Sequence, residues 1–187
     1  VSAGPERRPT PAELVAARGR TIPDVAREGL RVLFAGINPG LYSAATGYHF
    51  ARPGNRFWPT LFRSGFTPRQ LAPHEQDQLL GLGLGITNVA ARATARADEL
   101  DPGELRDGGR ILAAKVAALR PGWLAVVGVT AFRVAFDQPH AMVGAQPEAF
   151  GGTRVWVLPN PSGLNAHWSI ATLAEEFARL RAAAEPS

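Results

Sequence analysis

Apolar residues along this chain fall into two patterns: short unbroken runs, and longer stretches in which they return every three or four positions. The unbroken runs are LRVLFAG (30–36), LGITNV (84–89), WLAVVG (123–128) and TRVWVLP (153–159). Runs of this length, bounded by glycine or proline, predict strands, and WLAVVG has the composition of a strand buried on both faces. The periodic stretches predict helices. Thr10 followed by Pro11 marks the start of a short one. NRFWPTLFRSG (55–65) sets Phe57, Trp58, Leu61 and Phe62 at helical spacing and stops at Gly65. Residues 67–83 predict one or two turns broken at Pro73. A long helix runs from Pro102, capped by Asp101 and stopped by Pro121-Gly122. A short helix follows at 130–136 and a last one at about 167–183, while QPEAFGG (146–152) reads as a loop.

Strands that alternate with helices predict an α/β fold with a parallel sheet covered on both faces. In such sheets ligands bind outside the carboxyl ends of the strands. Three of the four predicted strands run there into unusual turns, GINPG (36–40), GITN (85–88) and LPNPSGLN (158–165), so one crevice is expected to collect all three.

Length and composition narrow the classes of function. The 187 residues suit one domain, taken here as 11–187 behind a flexible arm at 1–10. No apolar run approaches the roughly 20 residues of a membrane span, and the N-terminal segment lacks the apolar stretch of a secretory signal. With no cysteine there is no disulfide, thiolate nucleophile or cysteine-held cluster. The four histidines show no close metal-binding pair, so no metal and no cofactor is expected. The net charge is +4, with Lys115 the only lysine; this is compatible with nucleic acid and equally with a solvated arginine surface.

Asn38 is the polar residue of GINPG, with no acid, serine or cysteine beside it. Pro39 holds Asn38 extended, and Gly36 and Gly40 allow close backbone approach, so the turn presents the amide to the crevice or folds it onto its own backbone. In LPNPSGLN two prolines and a glycine stiffen a loop with Leu164 near its tip, either a wedge between base pairs or a side chain folded onto the core. GYHFARPGNRFW (47–58) offers Tyr48 or Phe50 to stack on a planar ligand, with Arg52 and Arg56 for phosphate and Phe57 and Trp58 for the core.

Together GINPG, the following LYSAATGYHFARPGNRFW and the distant LPNPSGL resemble the mismatch-specific uracil/thymine-DNA glycosylases of the uracil-DNA glycosylase superfamily, over about residues 29–183. The resemblance implies a three-layer α/β/α sandwich around a mostly parallel sheet of four or five strands. It implies a monofunctional enzyme that flips uracil, and related damaged pyrimidines, out of double-stranded DNA, notably at G·U mismatches, and hydrolyses the N-glycosidic bond in base-excision repair. Asn38 would position the water, since an amide takes no proton near neutral pH. Gly36, Ile37, Gly40, Ser43, Phe50 and Asn160 would form the base pocket. Ser162, Gly163, Leu164 and Asn165 would fill the gap left by the flipped nucleotide, with Arg52 and Arg56 on the DNA backbone. A soluble cytoplasmic, nucleoid-associated monomer without a membrane or obligate protein partner is implied as well.

The chain also departs from the family's pattern. Asn165-Ala166 replaces a Ser-Arg often found after the wedge leucine, and Ala91 and Ala93 replace an acid and a proline. Asp98 is a second-rank catalytic candidate, because a carboxylate activates water better than an amide does. Lys115 lies mid-helix, so Schiff-base lyase chemistry is not expected. Two alternatives use the same residues: a catalytically weak module that binds damaged DNA, and a hydrolase of free nucleosides.

Overall fold

The computed structural model describes residues 7–185. Five strands form one sheet in the order β2-β1-β3-β5-β4. They are β1 (Val32–Gly36), β2 (Leu84–Asn88), β3 (Trp123–Val127), β4 (Gly144–Phe150) and β5 (Thr153–Leu158). The first three and β5 pair in parallel, and β4 joins β5 antiparallel. The helices are α1 (Pro11–Ala16), α2 (Leu41–Thr46), α3 (Phe57–Arg63), α4 (Gln78–Gly81), α5 (Pro102–Leu119), α6 (Val129–Ala135) and α7 (Ile170–Ala184).

Every residue of β1 and β3 is buried, as expected of strands with helices on both sides. Successive side chains of β1 point to opposite layers. Val32 and Phe34 pack with Phe57, Trp58 and Leu61 of α3 and Phe177 and Leu180 of α7. Leu33 and Ala35 pack with Leu112 and Val116 of α5 and Phe132 of α6. The three-layer α/β/α architecture expected from the sequence is therefore present. No helix among the described residues is long and apolar enough to cross a membrane.

The local differences have physical causes. The segment 146–152, expected as a loop, belongs mostly to β4, and the Gly151-Gly152 turn links it to β5 with positive φ at both glycines. Pro147 is tolerated because this is the edge of the sheet, where a missing N–H breaks no ladder, and the pairing is irregular between Ala145 and Ala149. Leu41–Thr46, not anticipated as a helix, coils directly after Gly40 and stops at Gly47, whose φ is 82°. Pro73 opens a 3-10 turn (Pro73–Glu75) where a break was expected, with the proline in the first-turn position it tolerates. The last helix starts later than 167 because Ser169 caps it, exchanging hydrogen bonds with Thr172. Of the expected N-terminal arm, residues 1–6 lie outside the described residues, and Thr10 caps α1 in a box with Glu13.

Helix α5 is seated by two glycines in its middle. A Cβ at Gly108 would lie 2.3 Å from the Val89 carbonyl oxygen, and one at Gly109 would lie 2.4 Å from that of Ala135. The helix thus touches backbone just beyond β2 and at the end of α6. Helix propensity alone would make Gly109→Ala stabilising by about 1 kcal/mol. The clash with Ala135 reverses the sign, and we expect a loss of about 1–3 kcal/mol. Thermal melting should show a lower Tm by roughly 2–4 °C per kcal/mol for a chain of this size; a raised Tm would contradict this packing.

Candidate active site

The four parallel strands end at the same edge of the sheet, and the loops that leave them enclose a cavity of about 410 Å³. Ile37 and Asn38 after β1, Asn88 at the end of β2, Val127 at the end of β3, and Asn160 and Leu164 after β5 all line it. The three turns singled out in the sequence thus meet at one site. Gly40, Ser43, Phe50, Arg52, Ser162 and Asp98 line the same cavity.

Asn38 does not bond its own turn. The GINPG segment runs beside the loop after β2, continuing the ladder through Ala90 N–H to Ile37 O (2.9 Å) and Thr94 N–H to Pro39 O (3.2 Å). This places the Asn38 amide nitrogen against that loop, where it donates to Arg92 O at 2.9 Å and to Thr94 Oγ1 at 2.8 Å. Thr94 is itself buried and donates to Arg96 O at 2.7 Å, so its hydroxyl is available to Asn38 only as an acceptor. Both amide hydrogens are therefore engaged, and Oδ1 accepts no hydrogen bond from any described residue. The loop is anchored in turn: Arg92 makes a bidentate pair with Glu104 (2.6 and 3.0 Å). That guanidinium, together with the Asp101 N–H, holds the Glu104 carboxyl down at about 2.

Part of the lining is aromatic. Phe50 stacks on Phe57 with centroids 4.0 Å apart and holds φ at 52°, a left-handed conformation unusual outside glycine. Gly36 makes room for it, since a Cβ there would lie 3.2 Å from the Phe50 ring and 2.8 Å from Asn88 Oδ1. Asn88 thus sits beside the stacking ring, at the register position opposite Gly36. Next to it, His49 is only 2% exposed. Its Nε2 lies 2.9 Å from Pro23 O and its Nδ1 lies 3.4 Å from Asn88 Nδ2. Burial pushes the His49 pKa below the ordinary histidine value, the Pro23 carbonyl opposing it. Ser43 is buried and accepts from Ala51 N–H, bracing the start of the aromatic segment.

The loop 159–165 is braced from one side. Arg56 donates to the carbonyls of Pro161, Ser162 (2.6 Å), Asn165 (2.9 Å) and Trp168. In this structure the Arg56 guanidinium, expected on the DNA backbone, acts as a clamp on these four carbonyls. Arg52 is exposed and also lines the cavity. Asn160 Oδ1 accepts from Ser162 N–H (2.9 Å), and Asn165 Nδ2 donates to Asn160 O (3.1 Å), closing the turn on itself. At Gly163 a Cβ would meet Gly54 O at 2.6 Å, so the loop presses on segment 52–55. Leu164 is left 78% exposed at the rim, away from the core.

Asp98 lies on the rim in a 3-10 turn (Ala97–Glu99), its carboxylate largely exposed and paired with Arg96 Nε at 3.0 Å. Lys115 lines no part of the cavity and pairs with Asp24 and Thr87. Thr94, Asn88 and His49 went unnoticed in the sequence. Only the position of Asn88 at the end of a strand that empties into the crevice pointed to any of them.

Comparison with known proteins bears on the fold and the family. The solution NMR structure of a protein from Methanosarcina acetivorans, provisionally named a uracil DNA glycosylase, superposes with a TM-score of 0.60. It shares 19% identity over 87% of this chain and 98% of that chain, and so shares the fold. The model of the family described as the uracil DNA glycosylase superfamily matches residues 23–183, a span that includes every wall of the cavity except Ile22. The chain belongs to the uracil DNA glycosylase superfamily.

Proposed function

We propose that this protein is a monofunctional, mismatch-specific DNA glycosylase that takes uracil, G·U mismatches above all, out of the duplex and hydrolyses its N-glycosidic bond. The observation that carries the proposal is the Asn38 amide, tethered through both hydrogens with its oxygen left over, in a cavity that the Phe50 ring also lines. An amide oxygen so placed accepts a hydrogen bond from a water and aims that water's lone pair. The water attacks C1′ as the C1′–N1 bond breaks, and the bond's electrons leave with the base. The water's surplus proton passes to solvent or to the departing base, because the amide cannot hold it. The products are an abasic site and free uracil.

Further support comes from the cavity's other groups. Phe50 offers a stacking face, and Asn88 an adjacent donor and acceptor suited to the N3–H and O4 edge of uracil. The exposed Leu164, on a loop stiffened by Arg56 and by the Asn160 turn, suits a wedge that replaces the flipped nucleotide. With Lys115 paired to Asp24, hydrolysis without strand cleavage is the expected chemistry. A module that only binds damage would retard a G·U duplex on a gel without releasing base. A nucleoside hydrolase would turn over free deoxyuridine with none of the salt dependence that phosphate contacts impose.

The activity is tested with an end-labelled G·U duplex followed by alkaline cleavage of abasic sites; no cleavage above the enzyme-free control would refute it. Asn38→Ala should slow single-turnover excision by about 100-fold or more, the scale of a lost positioning contact. An unchanged rate would move the role to Asp98, with Asp98→Asn as the deciding variant. Leu164→Ala should slow excision from duplex on the order of tenfold, the effect of about 1.4 kcal/mol of lost support for unstacking. It should leave excision from a single strand unaltered, and equal losses on both substrates would rule out the wedge.

A further inference from the structure

We propose that His49 sets the orientation of the Asn88 amide, and through it which base edge, that of uracil or that of cytosine, the cavity accepts. The inference rests on the glycosylase reading above. Its starting point is that Pro23 O can only accept a hydrogen bond, so His49 Nε2, 2.9 Å away, carries a proton in every charge state. In the neutral ring Nδ1 is then an acceptor, and it faces Asn88 Nδ2 at 3.4 Å. The chain is thereby given a rule: while His49 is neutral, Asn88 turns its NH2 group toward the ring.

The consequence follows from the planarity of the amide. With the outer N–H pointing at His49, the remaining N–H and Oδ1 lie side by side next to the Phe50 ring. That pair matches uracil, whose O4 accepts and whose N3–H donates. It opposes cytosine, whose N4 amino group would face the N–H and whose bare N3 would face Oδ1. Protonation of His49 makes Nδ1 a donor, and the favourable arrangement becomes the flipped one, with Oδ1 toward the ring. The same two positions then present the order that matches cytosine. A single buried imidazole thus selects the code of a side chain that touches the base.

The surroundings favour the neutral state. Burial outweighs the Pro23 hydrogen bond and pushes the His49 pKa below the ordinary value of 6.5. The charged groups acting on the ring are Asp24, which favours the cation, and Lys115, which opposes it, and these two pair with each other beside Thr87. Its other neighbours, Gln76 on the His49 N–H and Trp58 on the His49 carbonyl, do not titrate. Uracil selectivity should therefore be constant through neutral and alkaline pH and weaken only in acid below 6.5.

The test is equilibrium binding to duplexes carrying non-cleavable 2′-fluoroarabino-uracil or 2′-fluoroarabino-cytosine opposite thymine, a mismatch in both cases, from about pH 8.5 down to about pH 4, a range extended to the acid side because burial lowers the His49 value. For the unaltered protein the preference for uracil should fall by about tenfold or more as His49 gains its proton, the effect of exchanging matched for mismatched hydrogen bonds. For His49→Gln, which cannot titrate, the preference should change only as far as cytosine's own protonation requires. Equal pH dependence in the two proteins overturns the proposal. Should His49→Gln fail to fold, 15N NMR of the unaltered protein decides instead. Nδ1 should show the unprotonated shift at neutral pH, and the Asn88 side-chain amide should shift with the His49 titration. A proton on Nδ1 at neutral pH, or an Asn88 amide indifferent to the titration, overturns it. Absence of uracil excision at any pH would refute the glycosylase reading while leaving this NMR linkage to be decided. Ordinary excision with pH-independent selectivity would overturn the linkage alone.

Discussion

The site depends on one doubly tethered amide. A free asparagine beside a cavity samples both orientations and holds a water no better than solvent does. Here Arg92 O and Thr94 Oγ1 take both hydrogens of Asn38, and the oxygen is left in a fixed place. The tether is only as rigid as the loop that provides it. That loop is pinned by the Arg92–Glu104 pair, Glu104 is part of the cap of α5, and α5 is pressed through Gly108 against the Val89 carbonyl where the loop leaves β2. A line of contacts therefore runs from a helix cap to the atom proposed to hold the nucleophile.

Across the cavity the same device appears with another arginine. Arg56 gathers the carbonyls of the loop after β5, and Gly163 presses that loop onto Gly54, so Leu164 stands exposed on a braced support. Arginine suits both tasks because its planar fork reaches several acceptors at once. Two of the arginines that give this chain its positive charge thus work inward, on loop architecture. Net charge for that reason says little about what binds in the cavity, whereas the turns pointed to where the cavity lies.

The sheet was legible in the sequence because buried parallel strands are nearly continuous apolar runs, and WLAVVG is as plain an instance as a sequence offers. β4 escaped because an edge strand tolerates Pro147 and polar residues that a central strand would not. α2 escaped because six residues between two glycines carry too little periodicity to announce a helix. In the site, Asn38 and Leu164 were legible through their own turns, whose proline and glycine content limits what the backbone can do. Thr94, Asn88 and His49 were not, because what makes them matter is contact with residues tens of positions away. Arg56 shows the same limit in reverse: its type suggested phosphate, and only the fold revealed four carbonyls around it.

If the tether on Asn38 is what makes an amide sufficient, loosening it without touching Asn38 should cost rate while leaving duplex affinity in place, although the same change also removes the Thr94 bond to Arg96 O. Thr94→Val keeps the buried shape and removes the acceptor of one amide hydrogen. Measured as single-turnover excision of uracil from a G·U duplex at saturating enzyme, it should be slower by about tenfold, the equivalent of one hydrogen bond, with duplex affinity unchanged. A rate equal to that of the unaltered protein would contradict the account.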